Sequence, residues 1–202
     1  PELANPKFNE VPWSVETYRG YIPVSQEAID DGENVVAIIA SEINDQTLNT
    51  TNAEILEAVK TINPTEVSDV DELKGLLNTG LKKKYNPVIF MSASMFNEVD
   101  ALKDNNGRYL FQQDMTAQSG MRLFGYRVVI LDDDLIGEKD GDKVAFVGDL
   151  KRAVTYFDRK QASVKWIDHM VYGQMLASFI RFDVAVTDEN AGYYVTFGTP
   201  TP

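Results

Sequence analysis

The chain has 202 residues, 44% of them hydrophobic and including ten Phe, nine Tyr and two Trp, enough to fill one sizeable core or two small ones. Acidic residues outnumber basic ones 31 to 19, and a net charge of −12 repels a phosphate backbone, which argues against direct nucleic-acid binding. Zero cysteines exclude disulfides, thiolate metal ligands and a cysteine nucleophile, and no apolar run approaches the roughly 20 residues of a membrane helix, so no membrane partner is expected.

Residues 1 to 20 carry Pro6, Pro12 and Gly20 among scattered aromatics and read as an extended arm. From Asn34 the pattern is helical: Val35, Ile39 and Ile43 recur every four residues, with Val36 and Ile38 widening the stripe. Thr51-Asn-Ala-Glu54 has capping-box spacing before Ile55, Leu56, Val59 and Ile62, which predicts a separate short helix stopped by Asn63-Pro64. Ser68-Asp-Val-Asp71 opens the next helix in the same fashion, with Leu73, Leu76, Leu77 and Leu81 on one face. Lys82-Lys83-Lys84 is expected in its last turn, where lysines complement the helix dipole; a small anion patch is the alternative. Pro87-Val-Ile-Phe-Met91 reads as a buried strand. A third helical pattern follows in Met95, Phe96, Val99 and Leu102, capped by Ser92 or Ser94, and Asn105-Asn-Gly107 turns it into an extended segment.

After Gly107 the chain turns to sheet. Tyr126 to Leu131, Val144 to Val147, Ala153 to Phe157 and Ser163 to Ile167 read as strands divided by Gly and Asp clusters. Ile180, Phe182, Val184 and Val186 alternate with Arg181, Asp183 and Ala185, the period of a half-buried strand, and Tyr193 to Phe197 suggests its neighbour.

Catalytic constellations are scarce. The single histidine, His169, has Asp168 beside it, but neighbours in an extended segment point to opposite faces, and a structural histidine is the expected reading. Asp132-Asp133-Asp134 follows a strand, where metal-binding or phosphoryl-transfer carboxylates often sit, and Asp140-Gly-Asp142 would add ligands. Three adjacent carboxylates rarely converge, so a solvated strand-to-loop exit is expected instead. The glycines form neither a G-x-G-x-x-G nor a Walker loop, and no cofactor is expected.

Five segments in order carry a resemblance: YIPVSQEAIDD at 21–31, VIFMSASMFNEVDALKDNNGRYLF at 88–111, LFGYRVVILDDD at 123–134, VAFVGDLKRAVTYFDR at 144–159 and IRFDVAVTDENAGYYVTF at 180–197. In this order and spacing the chain resembles the major capsid proteins of tailed bacteriophages of the Hong Kong 97 type, over nearly its whole length. The resemblance implies an α+β, Hong Kong 97-like capsid fold with a long spine helix, a peripheral domain and an inserted axial domain. Carried over, that layout implies an N-terminal remnant, spine helix and first part of the peripheral domain over 1–64, the axial domain over 65–147 and a return into the peripheral domain over 148–202. The Asn105 to Gly107 joint would turn the chain within the axial wedge, which meets its copies around fivefold and sixfold axes.

The implied function is a major capsid protein subunit, not an enzyme, that self-assembles into the icosahedral head shell enclosing phage or prophage DNA. Its implied partners are copies of itself in pentamers and hexamers, with portal, scaffold or decoration proteins beside them. Its implied place is the virion, after assembly in the bacterial host cytoplasm. Family members carry a long N-terminal arm and an extended hairpin loop before the YIPVS-like segment, where about twenty residues stand here, so a truncated or processed chain is expected. Some relatives crosslink lysine to asparagine with help from a glutamate; Val171 to Phe182 offers Gln174 and Arg181 but neither Asn nor Glu, so no crosslink is expected. Arg108, Arg122 and Arg127, basic residues isolated in an acidic chain, are expected to meet acidic edges of neighbouring subunits. Two alternatives are an encapsulin-like compartment shell, which shares the fold, and a metal-dependent hydrolase using Asp132 to Asp134.

Overall fold

In the computed structural model, which describes residues 10–24, 34–102, 121–169 and 173–198, the helix predicted from Asn34 runs unbroken from Val35 to Lys60 (α1), 26 residues and about 39 Å of axis. The separate helix expected at Thr51 does not form. A capping box works only where the backbone leaves helical geometry, and here the preceding turn already supplies carbonyl partners, so Thr50 to Asn52 cost only a few tenths of a kcal/mol each as weak helix formers. The helix does end where expected, with Asn63 at φ 41° before Pro64. The Asn63 side-chain amide donates to the carbonyls of Glu189 (2.6 Å) and Gly192 (3.1 Å).

The remaining elements are β1 (Glu16–Val24), β2 (Thr65–Val67), α2 (Val70–Gly75), β3 (Val88–Ser92), α3 (Ala93–Asp100), β4 (Arg122–Leu123), β5 (Tyr126–Leu131), α4 (Asp133–Ile136), β6 (Val144–Gly148), α5 (Leu150–Ala153), β7 (Val154–His169), β8 (Gly173–Val186) and β9 (Gly192–Phe197). The chain packs as two compact units, one holding the described residues through Asn49 with Tyr156–Ala185, the other Thr50–Thr155 with Val186 onward. The division falls within α1, β7 and β8.

The first unit is a three-stranded sheet in the order β1-β8-β7 together with the first part of α1. The arm expected over residues 1 to 20 is a strand from Glu16 onward, because β1 finds antiparallel partners along β8 from Glu16 opposite Phe182 to Val24 opposite Gln174. Rings then lock the register diagonally: Tyr18 of β1 stacks on Phe182 of β8 with centroids 4.7 Å apart, and Tyr156 of β7 meets the same ring at 5.2 Å. The two strands expected at 153–157 and 163–167 are one continuous β7, since Asp158 to Ala162 contain neither Gly nor Pro to break it.

The second unit is built on a six-stranded mixed sheet in the order β2-β9-β6-β3-β5-β4, with β2–β9 and β3–β5 parallel. Alternate residues face two cores. Ile89, Met91, Ala145, Val147 and Val195 pack against Leu73, Leu77, Met95 and Val99. On the opposite face Phe90, Phe146 and Tyr194 meet Ile55 and Val59 at the end of α1 and Ile62 just beyond it. β9 is not the neighbour of β8, as the alternation suggested, but lies between β2 and β6; period-two patterning identifies a strand without naming its partner.

Local chemistry sets the joints. The α2 capping box is shifted by one residue from the expected one: Asp69 accepts from Glu72 N (2.8 Å), and Glu72 Oε2 accepts from Ser68 N (2.8 Å). The chain leaves the helical region at Leu81, ending a π-helical turn over Leu76–Gly80, so the Lys82 to Lys84 run falls beyond the last turn. Lys83 still donates back to the Asn78 carbonyl (3.0 Å), while Lys84 lies over the Tyr85 ring at 4.6 Å. Ser92, not Ser94, caps α3, accepting from Met95 N, and also accepts from Val144 N, both at 3.2 Å. Buried Tyr85 donates to Asp188 (2.6 Å), which holds that carboxyl below its ordinary range, while burial pushes the phenol up.

The β6–β9 seam leaves no room for a side chain at two facing glycines. Gly148 and Gly192 stand opposite each other, and a Cβ on Gly148 would lie 2.4 Å from the Ala191 carbonyl oxygen and 2.5 Å from Gly192 Cα. Gly148→Ala is therefore expected to destabilise by about 1–3 kcal/mol, the cost of overpacking against backbone that cannot yield. Gly20→Ala, with nothing within 4 Å, is the control expected to change little. Urea unfolding followed by far-UV circular dichroism measures both, and equal midpoints would sink the seam's role.

Candidate functional site

β5 leads from a basic end to an acidic one. At its exit, Asp132 precedes α4 without a side-chain cap bond and is exposed, as is Asp134. Asp133 between them turns inward: its carboxylate accepts from Ser94 N (2.9 Å), Ser94 Oγ (2.5 Å) and Gly141 N (3.0 Å). Asp142 closes the same loop by accepting from the backbone N–H groups of Glu138 (2.9 Å) and Lys139 (3.1 Å). Gly137 is required there, because a Cβ would sit 2.7 Å from the Asp133 carbonyl oxygen and 2.8 Å from Asp142 Cβ. Tyr194 donates to the Ile136 carbonyl (2.9 Å), and burial first, then nearby Asp142, Glu138 and Glu57, push its pKa to about 12.

The triple-Asp run is thus divided between roles. Asp133 and Asp142 use their oxygens to hold the loop, while Asp132, Asp134, Glu138 and Asp140 face solvent. Among the described residues no group of three or more His, Asp or Glu side chains is placed to hold a metal, and no helix is long and apolar enough to cross a membrane. His169 ends β7, and Asp168 beside it is exposed.

At the other end of β5 the chain reverses through Phe124 (φ 53°) and Gly125 (φ 85°), the two positive dihedrals of a tight hairpin turn. Gly125 is its signal in the sequence; the ring of Phe124 is held under Lys74 Nζ at 5.4 Å. The turn sets Arg122 directly opposite Arg127, both exposed. Both arginines thus place positive charge at this end of β5. Arg122 also donates to the Gly125 carbonyl (3.2 Å). Structure therefore brings two of the three expected arginines together; Arg108 and the Asn105 to Gly107 turn lie outside the described residues.

The Asp133 hydrogen bonds, led by that from the Ser94 hydroxyl, hold its pKa below the ordinary 3.8. A depressed carboxyl stabilises the folded chain fully above its unfolded pKa, and that contribution is lost as pH falls through the native value. Melting temperature is therefore expected to fall more steeply in the wild type than in Asp133→Asn below about pH 4. Parallel profiles would remove Asp133 from the loop's support. A rise with added divalent metal that Asp133→Asn abolishes would instead revive metal-dependent hydrolysis.

No match is found among curated proteins. Among solved structures, the capsid of the native GTA particle is similar with a TM-score of 0.75 and 17% identity, covering 94% of this chain and 74% of that one. Gordonia phage Cozz gives 0.67 at 15% identity, covering 98% and 76%. The holo-SrpI encapsulin complex from Synechococcus elongatus gives 0.68 at 10% identity, covering 93% and 78%. At such identities the likeness is one of fold, and that fold is the Hong Kong 97-like capsid fold. The sequence profile described as the Phage capsid family matches residues 1–197, nearly the whole chain, and the protein belongs to that family.

Proposed function

We propose that the chain is a major capsid protein subunit whose copies assemble, as pentamers and hexamers, into an icosahedral head shell around phage or prophage DNA. The observation that carries this reading is the family match across residues 1–197. The solved capsid of the native GTA particle, computed with C5 symmetry, supports the pentameric part of it. Such a subunit needs rigid plates with edges that bind copies of itself through many weak contacts, not an active site. The aromatic ladder across β1, β8 and β7 and the doubly covered six-stranded sheet suit that task.

In this reading α1 is the spine helix, 65–147 is the axial domain that meets its copies about the capsomer axis, and the segments over 1–64 and 148–202 supply the peripheral domain. The exposed Arg122–Arg127 pair, with Arg108, supplies edge charge toward acidic neighbours. Assembly takes place in the bacterial host cytoplasm, where portal, scaffold or decoration proteins join. The shell's acidic balance, −12 per chain, limits tight adhesion to enclosed DNA.

One observation favours a second reading: the encapsulin complex shares the fold at a TM-score of 0.68. Contents separate the two, since a compartment shell would enclose protein where a head shell encloses DNA.

Light scattering of the purified chain over a concentration series, at low and high salt, is the test. Pentamers, hexamers or larger shells that loosen as salt screens their edge charges are expected. A mass that stays at one chain throughout would count against self-assembly, and shells recovered from cells with protein cargo and no DNA would favour the compartment.

A further inference from the structure

Beside the arginine pair the second unit has an open depression of about 700 Å³, floored by Val88, Phe90 and Val129 on the α1 side of the sheet and walled by α5. Arg122, Arg127 and Lys151 all line it. One carboxylate shares the wall, that of Asp149, which accepts from Asn86 N (3.1 Å) and lies 3.8 Å from Arg152 Nε. Among the described lining residues, a chain of net charge −12 thus sets three cations against one carboxylate on a concave, partly apolar surface.

The acidic loop lies at the far end of the same strand. Arg127 and Asp132 are five residues apart along β5 and its exit, about 17 Å at strand rise. The loop presents Asp132, Asp134, Glu138 and Asp140 to solvent with Lys139 among them, and its shape is set from within by Asp133 and Asp142. Preformed acid at one end of a rigid strand and a preformed basic depression at the other make the unit polar along β5.

We propose that the depression receives the Asp132 to Asp140 loop of a second copy of this chain, so that neighbours join head to tail. The inference rests on the capsid reading and names the surfaces by which it works. Such a contact is heterologous: each copy gives a loop and receives one, and rotation closes the series into a ring. The arriving carboxylates meet the cations that line the depression, and the apolar floor lowers the local dielectric around the pairs. Each end alone repels its own kind, so copies meeting basic end to basic end are rejected.

The test is a charge swap in the full chain at exposed positions only. One variant carries Arg127→Glu and Lys151→Glu, a second carries Asp134→Lys and Asp140→Lys, and a third carries all four. Assembly is read by light scattering and sedimentation at low salt. Either reversal alone is expected to raise the concentration needed for assembly about tenfold or more, by turning attraction to repulsion. The third variant is expected to assemble again, which also shows that the reversed surfaces fold. Mixing the first two variants is expected to restore mixed oligomers, since each then meets its complement.

Loss of assembly in both single-surface variants without recovery in the third would overturn the pairing while leaving the capsid reading in place. Unchanged assembly in all three would do the same. A wild-type chain that stops at two copies would replace the ring by a twofold contact and overturn the head-to-tail join. A wild-type chain that never associates would overturn the pairing and self-assembly together.

Discussion

Everything in the second unit depends on β9 entering the sheet between β2 and β6. Its residues come from the far end of the chain, yet Val195 pairs with both Thr65 and Ala145, and Tyr194 N donates to the Ile62 carbonyl at 2.8 Å. That placement requires Gly148 and Gly192 to face each other, because a side chain on either would strike backbone or the Phe146 ring. In return the Phe146 side chain is fully buried, and both cores are sealed along the sheet's middle. Burying an aromatic ring of that size is worth on the order of 2–3 kcal/mol.

The ends of the sheet are less covered than its middle, and charge takes over there. Carboxylates are divided between those that satisfy backbone and hydroxyl donors, as Asp133, Asp142 and Asp188 do, and those left to solvent. The former fix loops whose N–H groups would otherwise lack partners; the latter set the surface field that decides which neighbour is tolerated. A family whose members form shells needs both, since an edge that is not rigid loses entropy on every contact it makes.

Much of the fold was legible in the residues themselves. The α1 stripe, the apolar β3 and β6 runs and the alternation in β8 each announce an element through its period. The errors have a common origin. Thr51 to Glu54 has the letters of a helix start, but letters do not report whether a preceding turn already exists. Tyr193 to Phe197 reads as a strand, but its partners are strands that sequence proximity does not favour. The break expected near Asp158 fails because no turn former stands there.

The candidate site was half legible. Basic residues isolated in an acidic chain mark Arg122 and Arg127 as edge charges, and five segments in order identify the family. That Arg122 opposes Arg127 across a Phe124–Gly125 turn, that Lys151 joins them from another element, and that Asp133 turns inward while its neighbours face out could not be read that way. Sequence by itself determined composition, charge, element types and family, because these follow from local periodicity and residue order. Only the tertiary structure decided strand partners and which charges share a surface, because those depend on contacts between residues far apart in the chain, each set by the packing of all the others.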